Sequence, residues 1–76
     1  MPDRVTQIQR KLAKAIRVER DAQNMSQEKL AEKSNLSLNF IGRVERAEQM
    51  ASIASVIQIA EALGLSGEEL MGKARL

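Results

Sequence analysis

SQEKLAEKSNLSLNFIGRVE, residues 26–45, places two short helix-forming runs on either side of a polar break. Ser26 precedes the first run, where a serine hydroxyl accepts a backbone N–H of the opening helical turn. Asn35 follows that run, and asparagine tolerates the left-handed conformation found just past many helix ends. Ser37 caps the second run in the same way as Ser26. The stretch predicts two helices joined by a tight turn.

The second of these helices has one apolar face. At about 100° per residue, Phe40, Ile41 and Val44 cluster within roughly a third of the circle, so they are predicted to be its buried side. The opposite side holds Leu38, Asn39, Gly42, Arg43 and Arg46. This helix is therefore expected to present an amide and two guanidinium groups to solvent.

Several of these outward residues have a use in the major groove of DNA, which is wide enough to admit a helix. Asn39 can pair with adenine, Arg43 can pair with guanine or hold a phosphate, and Leu38 can meet a thymine methyl group. Gly42 costs about 1 kcal/mol relative to alanine inside a helix, and close approach to DNA would explain it. Taken singly, each is better read as ordinary surface. Their joint placement after a short helix and a turn favours a DNA-reading helix-turn-helix.

Composition excludes several classes of function. The chain has 76 residues, which predicts one small domain, and it contains neither cysteine nor histidine. Thiolate metal sites and the usual acid–base chemistry are therefore absent, and no cofactor, metal or small-molecule ligand is predicted. No apolar stretch approaches the roughly 18 residues that span a bilayer, and the start lacks the apolar core of a signal peptide. A cytoplasmic protein is expected, with no membrane partner.

The charges are unevenly distributed along the chain. Residues 1–46 carry ten Lys or Arg and six acidic residues, whereas residues 47–76 carry two and four. The first part, at +4, is the one suited to face a polyanion. A single phenylalanine is the only aromatic residue, which argues against stacking on single-stranded nucleic acid.

The rest of the chain is also predicted to be helical, because apolar residues recur at spacings of three and four and no alternating β-branched run occurs. The stripe of the first helix runs from Val5 to Ile16, and that of the fourth begins at Ile53. Residues 1–76 are predicted to form one compact all-α domain with its helix-turn-helix unit over about 27–46. The five predicted helices cover about residues 4–23, 27–33, 38–46, 52–63 and 67–74.

Four stretches carry a more specific pattern: IRVER (16–20), MSQEKLAEKSNLS (25–37), FIGRVER (40–46) and SIASVIQIAEALGLSGEEL (52–70). Together they resemble the Cro/repressor type of helix-turn-helix domain, often called the XRE family, with its lambda repressor-like fold. The resemblance implies five helices, of which the second and third form the DNA-reading unit. In size the chain is similar to phage Cro-like repressors and to the controller proteins of restriction–modification systems.

The resemblance also implies roles for individual residues. Base-reading roles fall on Leu38, Asn39, Gly42 and Arg43. Predicted phosphate contacts are Gln27, Arg17, Arg46 and Ser37. A structural ion pair between Arg20 and Glu45 would join the first helix to the third. The remaining basic residues of the first helix, Arg10, Lys11 and Lys14, are better read as solvent-exposed.

Two departures from the family pattern concern backbone conformation. Family members usually have glycine where Asn35 stands, and asparagine preserves the turn. They usually have glycine or asparagine at Ala47, where a left-handed residue would now carry a Cβ atom. Proline is also usual where Ala51 stands. The loop over 47–51 is therefore expected to run differently from that of the family.

Loose apolar residues near the end of the chain predict a homodimer. Ile57, Leu65, Met71 and Leu76 have little core left to fill in so small a domain. A two-fold dimer would set two recognition helices about 34 Å apart and would call for an inverted-repeat operator.

The leading hypothesis is a sequence-specific transcriptional regulator that binds double-stranded DNA as a homodimer, with a restriction–modification controller as one form of it. The alternative is an antitoxin-like protein-interaction subunit whose DNA binding is secondary. An enzyme is not expected, since no nucleophile–base pair or metal constellation is visible.

Overall fold

The computed structural model describes residues 3–76 and shows five α-helices in that part of the chain. Met1 and Pro2, which the domain prediction includes, lie outside the described residues. The predicted all-α, five-helix fold class is confirmed, and each predicted boundary lies within one residue of the observed one. The helices are α1 (Arg4–Ala22), α2 (Gln27–Ser34), α3 (Leu38–Glu45), α4 (Ile53–Ala62) and α5 (Gly67–Lys73).

Each helix begins after a residue whose side-chain oxygen accepts a backbone N–H of the first turn. These N-caps are Asp3, Ser26, Ser37, Ser52 and Ser66. At α5 the cap is reciprocal, because Glu69 Oε1 also accepts the backbone N–H of Ser66 at 2.9 Å. Such caps satisfy donors that have no partner inside the helix.

Each helix also ends in the same way, with a left-handed residue just past its last turn. These residues are Asn24, Asn35, Ala47, Gly64 and Arg75. After α3, the N–H of Ala47 bonds to the carbonyl of Val44 and that of Glu48 to the carbonyl of Arg43. This Schellman pattern returns the chain sharply. Ala47 adopts the left-handed conformation, with φ 59°, although it carries a Cβ atom. The expectation that the loop over 47–51 runs differently from that of the family stays a prediction.

The core contains one fully buried large side chain from every helix. They are Ile16, Leu30, Ile41, Ile59 and Leu70. Small residues let the helix axes approach around them, and Ala31 and Ala60 are buried at such positions. Because each of the five large side chains contacts a single shared core, none of the helices can be removed without opening it.

The packing order leaves one side of α3 free. α1 packs against α3 and α5, α2 packs against α3 and α4, and α4 packs against α5. α3 therefore rests on two helices through Ile41 and Val44, with Phe40 half-buried beside them. Its remaining side faces solvent.

Two apolar residues that the helical pattern placed inward are exposed. Ile53 is 81% exposed and Val5 is 55% exposed. Both lie in the first turn of their helices. Periodicity along one helix does not indicate where its packing partner stops, and this explains the two errors.

Candidate nucleic-acid interface

The solvent side of α3 carries the polar residues that the sequence places there. Leu38 is 47% exposed, and Asn39, Arg43 and Arg46 are exposed as well. We call these four residues the reading face. They lie along one side of the helix, over its two turns and its C-cap Arg46, and the opposite side is buried, which is the presentation that a major groove accepts.

Gly42 does not belong to this exposed set, and its predicted exposure is wrong. The Arg46 side chain lies across it, and a Cβ atom at position 42 would be 2.9 Å from Arg46 Nη1. Side chains on a helix lean toward its N-terminus, so residue 46 covers the surface one turn earlier. The guanidinium of Arg46 thus occupies the place that a side chain at position 42 would take.

Glu45, at the end of α3, connects the reading helix to α1. Its carboxylate accepts hydrogen bonds from Arg20 Nε at 2.8 Å and Arg20 Nη2 at 3.0 Å. Its side chain is 2% exposed and that of Arg20 is 14% exposed. The hydrogen bonds with Glu45 raise the pKa of Arg20, against the opposing effect of burial. The paired fork geometry holds α3 at one angle to α1.

Gln27, the first residue of α2, joins the same carboxylate. Its Nε2 donates to Glu45 Oε1 at 3.0 Å. An ionised carboxylate only accepts hydrogen bonds, so the amide nitrogen must face it. The Gln27 carbonyl oxygen and its second N–H remain for another partner. One buried acidic group therefore orients side chains from α1 and α2 beside the reading face.

Arg17 has a partner that its sequence position did not indicate. Its Nη1 donates to the backbone carbonyl of Glu45, one of the last carbonyls of α3. Those carbonyls lack partners within the helix, and a cation there also complements the helix dipole. Arg17 remains exposed, and its phosphate role stays a prediction, as do those of Gln27, Arg46 and Ser37.

The loop after α3 contacts both arginines of the reading face. Arg43 Nε donates to Gln49 Oε1 at 2.7 Å, and Arg46 Nε donates to Glu48 Oε2 at 3.0 Å. Sequence reasoning missed both loop residues. Neither contact follows the three- or four-residue spacing of a helix, so no periodic signal could have indicated them.

On another side of the domain an apolar groove of about 390 Å³ lies between α1, α4 and α5. Three of the four predicted dimer residues line it, namely Ile57, Met71 and Leu76. Leu65 does not join them and packs against the core of its own chain. The sequence analysis missed Ile53 and Met50, which extend the same groove and are both exposed.

Within residues 3–76, no group of three or more acidic residues is arranged to hold a metal ion. None of the five helices combines the length and apolar character needed to cross a membrane.

Comparison with known proteins identifies the family. Residues 16–70 match HTH_3, the helix-turn-helix family. The chain belongs to this family. The predicted resemblance is therefore confirmed, and the matched range contains α2, α3, the Arg20–Glu45 pair and the loop that follows α3.

Named relatives within the helix-turn-helix family include two controller proteins. The chain is 42% identical over 60 residues to the control protein C.SmaI of Serratia marcescens, across 79% of this chain and 71% of that one. It superimposes on the restriction–modification controller protein C.AhdI of Aeromonas hydrophila with a TM-score of 0.78 at 34% identity, covering 82% and 94% of the two chains. For the clp gene regulator ClgR of Corynebacterium glutamicum the TM-score is 0.84 at 25% identity, covering 90% and 72%.

These relatives are regulators, and the family is one of transcriptional regulators rather than enzymes. The chain is accordingly a DNA-binding helix-turn-helix regulator.

Proposed function

We propose that this protein is a sequence-specific transcriptional regulator that binds an inverted repeat in double-stranded DNA as a homodimer. The observation that carries the proposal is the reading face: a helix held by the buried Glu45 carboxylate exposes Leu38, Asn39 and Arg43 together. Asn39 and Arg43 have the donors and acceptors for adenine and guanine, and Leu38 suits a thymine methyl group.

The apolar groove supports the dimer. A small domain that leaves Ile53, Ile57 and Met71 exposed around one groove has an apolar patch of the kind that marks a protein interface. A second copy seated there through a two-fold axis would bury the same residues of both chains. The two reading faces would then meet successive major grooves about 34 Å apart.

The relatives support a role as a restriction–modification controller. The 34% identical protein from Aeromonas hydrophila is described as a restriction–modification controller protein, and the 42% identical one from Serratia marcescens as a control protein. We place this protein with them because the likeness extends over most of both chains in each case. Cytoplasmic action is part of the same proposal, since the operator is chromosomal or plasmid DNA.

Selection from random duplex DNA tests the proposal. The intact protein should enrich an inverted repeat whose half-sites lie about 10 base pairs apart, and light scattering should give a dimer. Absence of any enriched motif would contradict sequence-specific regulation. If a protein partner were captured while no motif was enriched, the antitoxin-like alternative would replace the proposal of sequence-specific regulation.

Salt dependence alone does not distinguish these outcomes. Any protein that neutralises phosphates loses affinity as salt rises, whether or not it reads bases. The enriched motif and its two-fold symmetry are therefore the deciding measurements.

A further inference from the structure

Arg43 is the one reading-face arginine whose partner is an uncharged side chain. Gln49 accepts from its Nε at 2.7 Å, whereas Arg46 is paired with the carboxylate of Glu48. Gln49 is half-buried and lies on the loop that Ala47 starts in the left-handed conformation. The loop geometry thus brings the amide oxygen back against the helix it follows.

This contact limits how Arg43 can bind. A guanidinium carries five N–H donors in a planar fork, and Gln49 takes the one on Nε. The four N–H groups on the two Nη atoms remain. A base or phosphate therefore cannot bind Arg43 through Nε and one Nη together. It can still bind the N–H groups of the two Nη atoms at the end of the side chain.

Pre-ordering the side chain has an energetic consequence. A free arginine loses rotamer entropy when it is immobilised. Part of that loss is already taken in the unbound protein when a loop residue holds the guanidinium. Such a constraint favours one donor geometry, and a fixed geometry discriminates between base edges better than a mobile charge does.

We infer that Gln49 is a positioning residue that sets the base preference of Arg43, and this inference rests on the proposed function. Gln49 acts through Arg43 and not by touching DNA itself. A residue of the loop after α3 thus contributes to the base specificity of that helix.

A double-mutant cycle tests the inference. The proteins are the wild type, Arg43→Ala, Gln49→Leu and the double variant. Each is measured for binding to the selected operator and to operators changed at each base pair. Gln49→Leu removes the acceptor at similar size and should lower affinity for the preferred operator about three- to tenfold while relaxing preference at one base pair. In the Arg43→Ala background the same change should have no further effect.

Two further variants separate positioning from a general structural role. Gln49→Glu keeps an acceptor for Nε and should restore the base preference, even if the added charge lowers total affinity. Glu48→Gln changes the neighbouring loop residue, which contacts Arg46 instead, and should leave preference at the Arg43 base pair unchanged. Thermal unfolding of each variant reports on folding separately.

Each possible result supports a single conclusion. If the wild type selects no motif, the proposed function fails. If the wild type selects a motif and Arg43→Ala relaxes it while Gln49→Leu does not, the inference about Gln49 fails alone. Additive losses in the double variant would mean that Gln49 contacts DNA directly, and tighter binding by Gln49→Leu would mean that it holds Arg43 away from DNA. Either would overturn the inference.

Discussion

The reading face and the apolar groove are both exposed, but they are organised in opposite ways. On the reading face, Arg43 and Arg46 are held by loop side chains, and the helix beneath them is held by Glu45. In the apolar groove, Ile53 is 81% exposed. One face is ordered by directional bonds within the chain, and the other presents apolar area that only burial can stabilise.

The difference indicates what each face can do. Directional bonds fix the positions of donors and acceptors, which is what discrimination between bases requires. Apolar contact is not directional and scales with area, which suits association with a second copy. Substitutions that affect one face and spare the other are the way to test this division.

The largest expected effect comes from Glu45→Ala. The substitution leaves Arg20 partly buried without its partner and releases Gln27, and it should lower the free energy of unfolding by about 3–5 kcal/mol. Chemical denaturation measures the loss. Glu48→Ala is the matched control, because its pair with Arg46 is exposed and should contribute at most about 1 kcal/mol. Equal losses in the two variants would refute a special role for the buried pair.

Ile53→Asp should break the apolar groove as an interface. An aspartate in the first turn of α4 is compatible with the helix dipole, so folding of the single chain should hardly change. Self-association should weaken by about 2 kcal/mol or more, roughly thirtyfold, if Ile53 is central to the dimer. Sedimentation over a range of concentrations measures it. Val18→Asp, 54% exposed and outside the groove, should have no such effect.

Ala47→Gly should stabilise the loop behind the reading face. Alanine in the left-handed region costs about 1–2 kcal/mol, and glycine removes that cost while it adds entropy to the unfolded chain. A net gain of about 1 kcal/mol is expected in chemical denaturation. Ala54→Gly should have the opposite effect. Position 54 is exposed within α4, so glycine there should lower the free energy of unfolding by about 1 kcal/mol. If both substitutions lowered the free energy of unfolding, the left-handed conformation at Ala47 would be contradicted.

The smallest expected effect is a pH dependence at the start of α5, beside the apolar groove. Hydrogen bonds from Ser66 lower the pKa of Glu69 below its ordinary value of 4.5. A lowered carboxyl pKa adds stability that is present above the ordinary value and is lost as pH falls through the lowered one. The stability advantage of the wild type over Glu69→Gln should therefore be present at neutral pH and should decrease as the pH falls below 4.5. A stability difference that stays constant as the pH is lowered through this range would contradict the contribution of the cap.

Much of the fold could be predicted from short-range chemistry. Ser26, Ser37 and Ser66 cap helices because their hydroxyls reach N–H groups three residues away, an interaction contained in the local sequence. Asn35 and Gly64 end helices for an equally local reason. The buried side of α3 followed from periodicity, since Ile41 and Val44 are both buried.

The candidate site was predicted only in part. The exposure of Leu38, Asn39 and Arg43 could be read from the helical wheel, while their contacts with DNA stay predictions. Gly42 was misplaced because the wheel treats each residue as a point and ignores the reach of Arg46 across one turn. Leu65 packs against the core of its own chain, which spacing alone does not reveal, and its dimer contact stays a prediction.

The amino-acid sequence alone determined where the helices begin and end and which side of α3 is apolar, because caps, left-handed residues and periodicity act over at most a few residues. Only the tertiary structure decided that Gln49 meets Arg43, that Gln27 joins the Glu45 carboxylate, and that Ile53 borders an open groove. Those contacts depend on the path of a loop, the position of α2 beside α3 and the point where a neighbouring helix ends. The packing of the helices sets these positions, and no short stretch of sequence contains them.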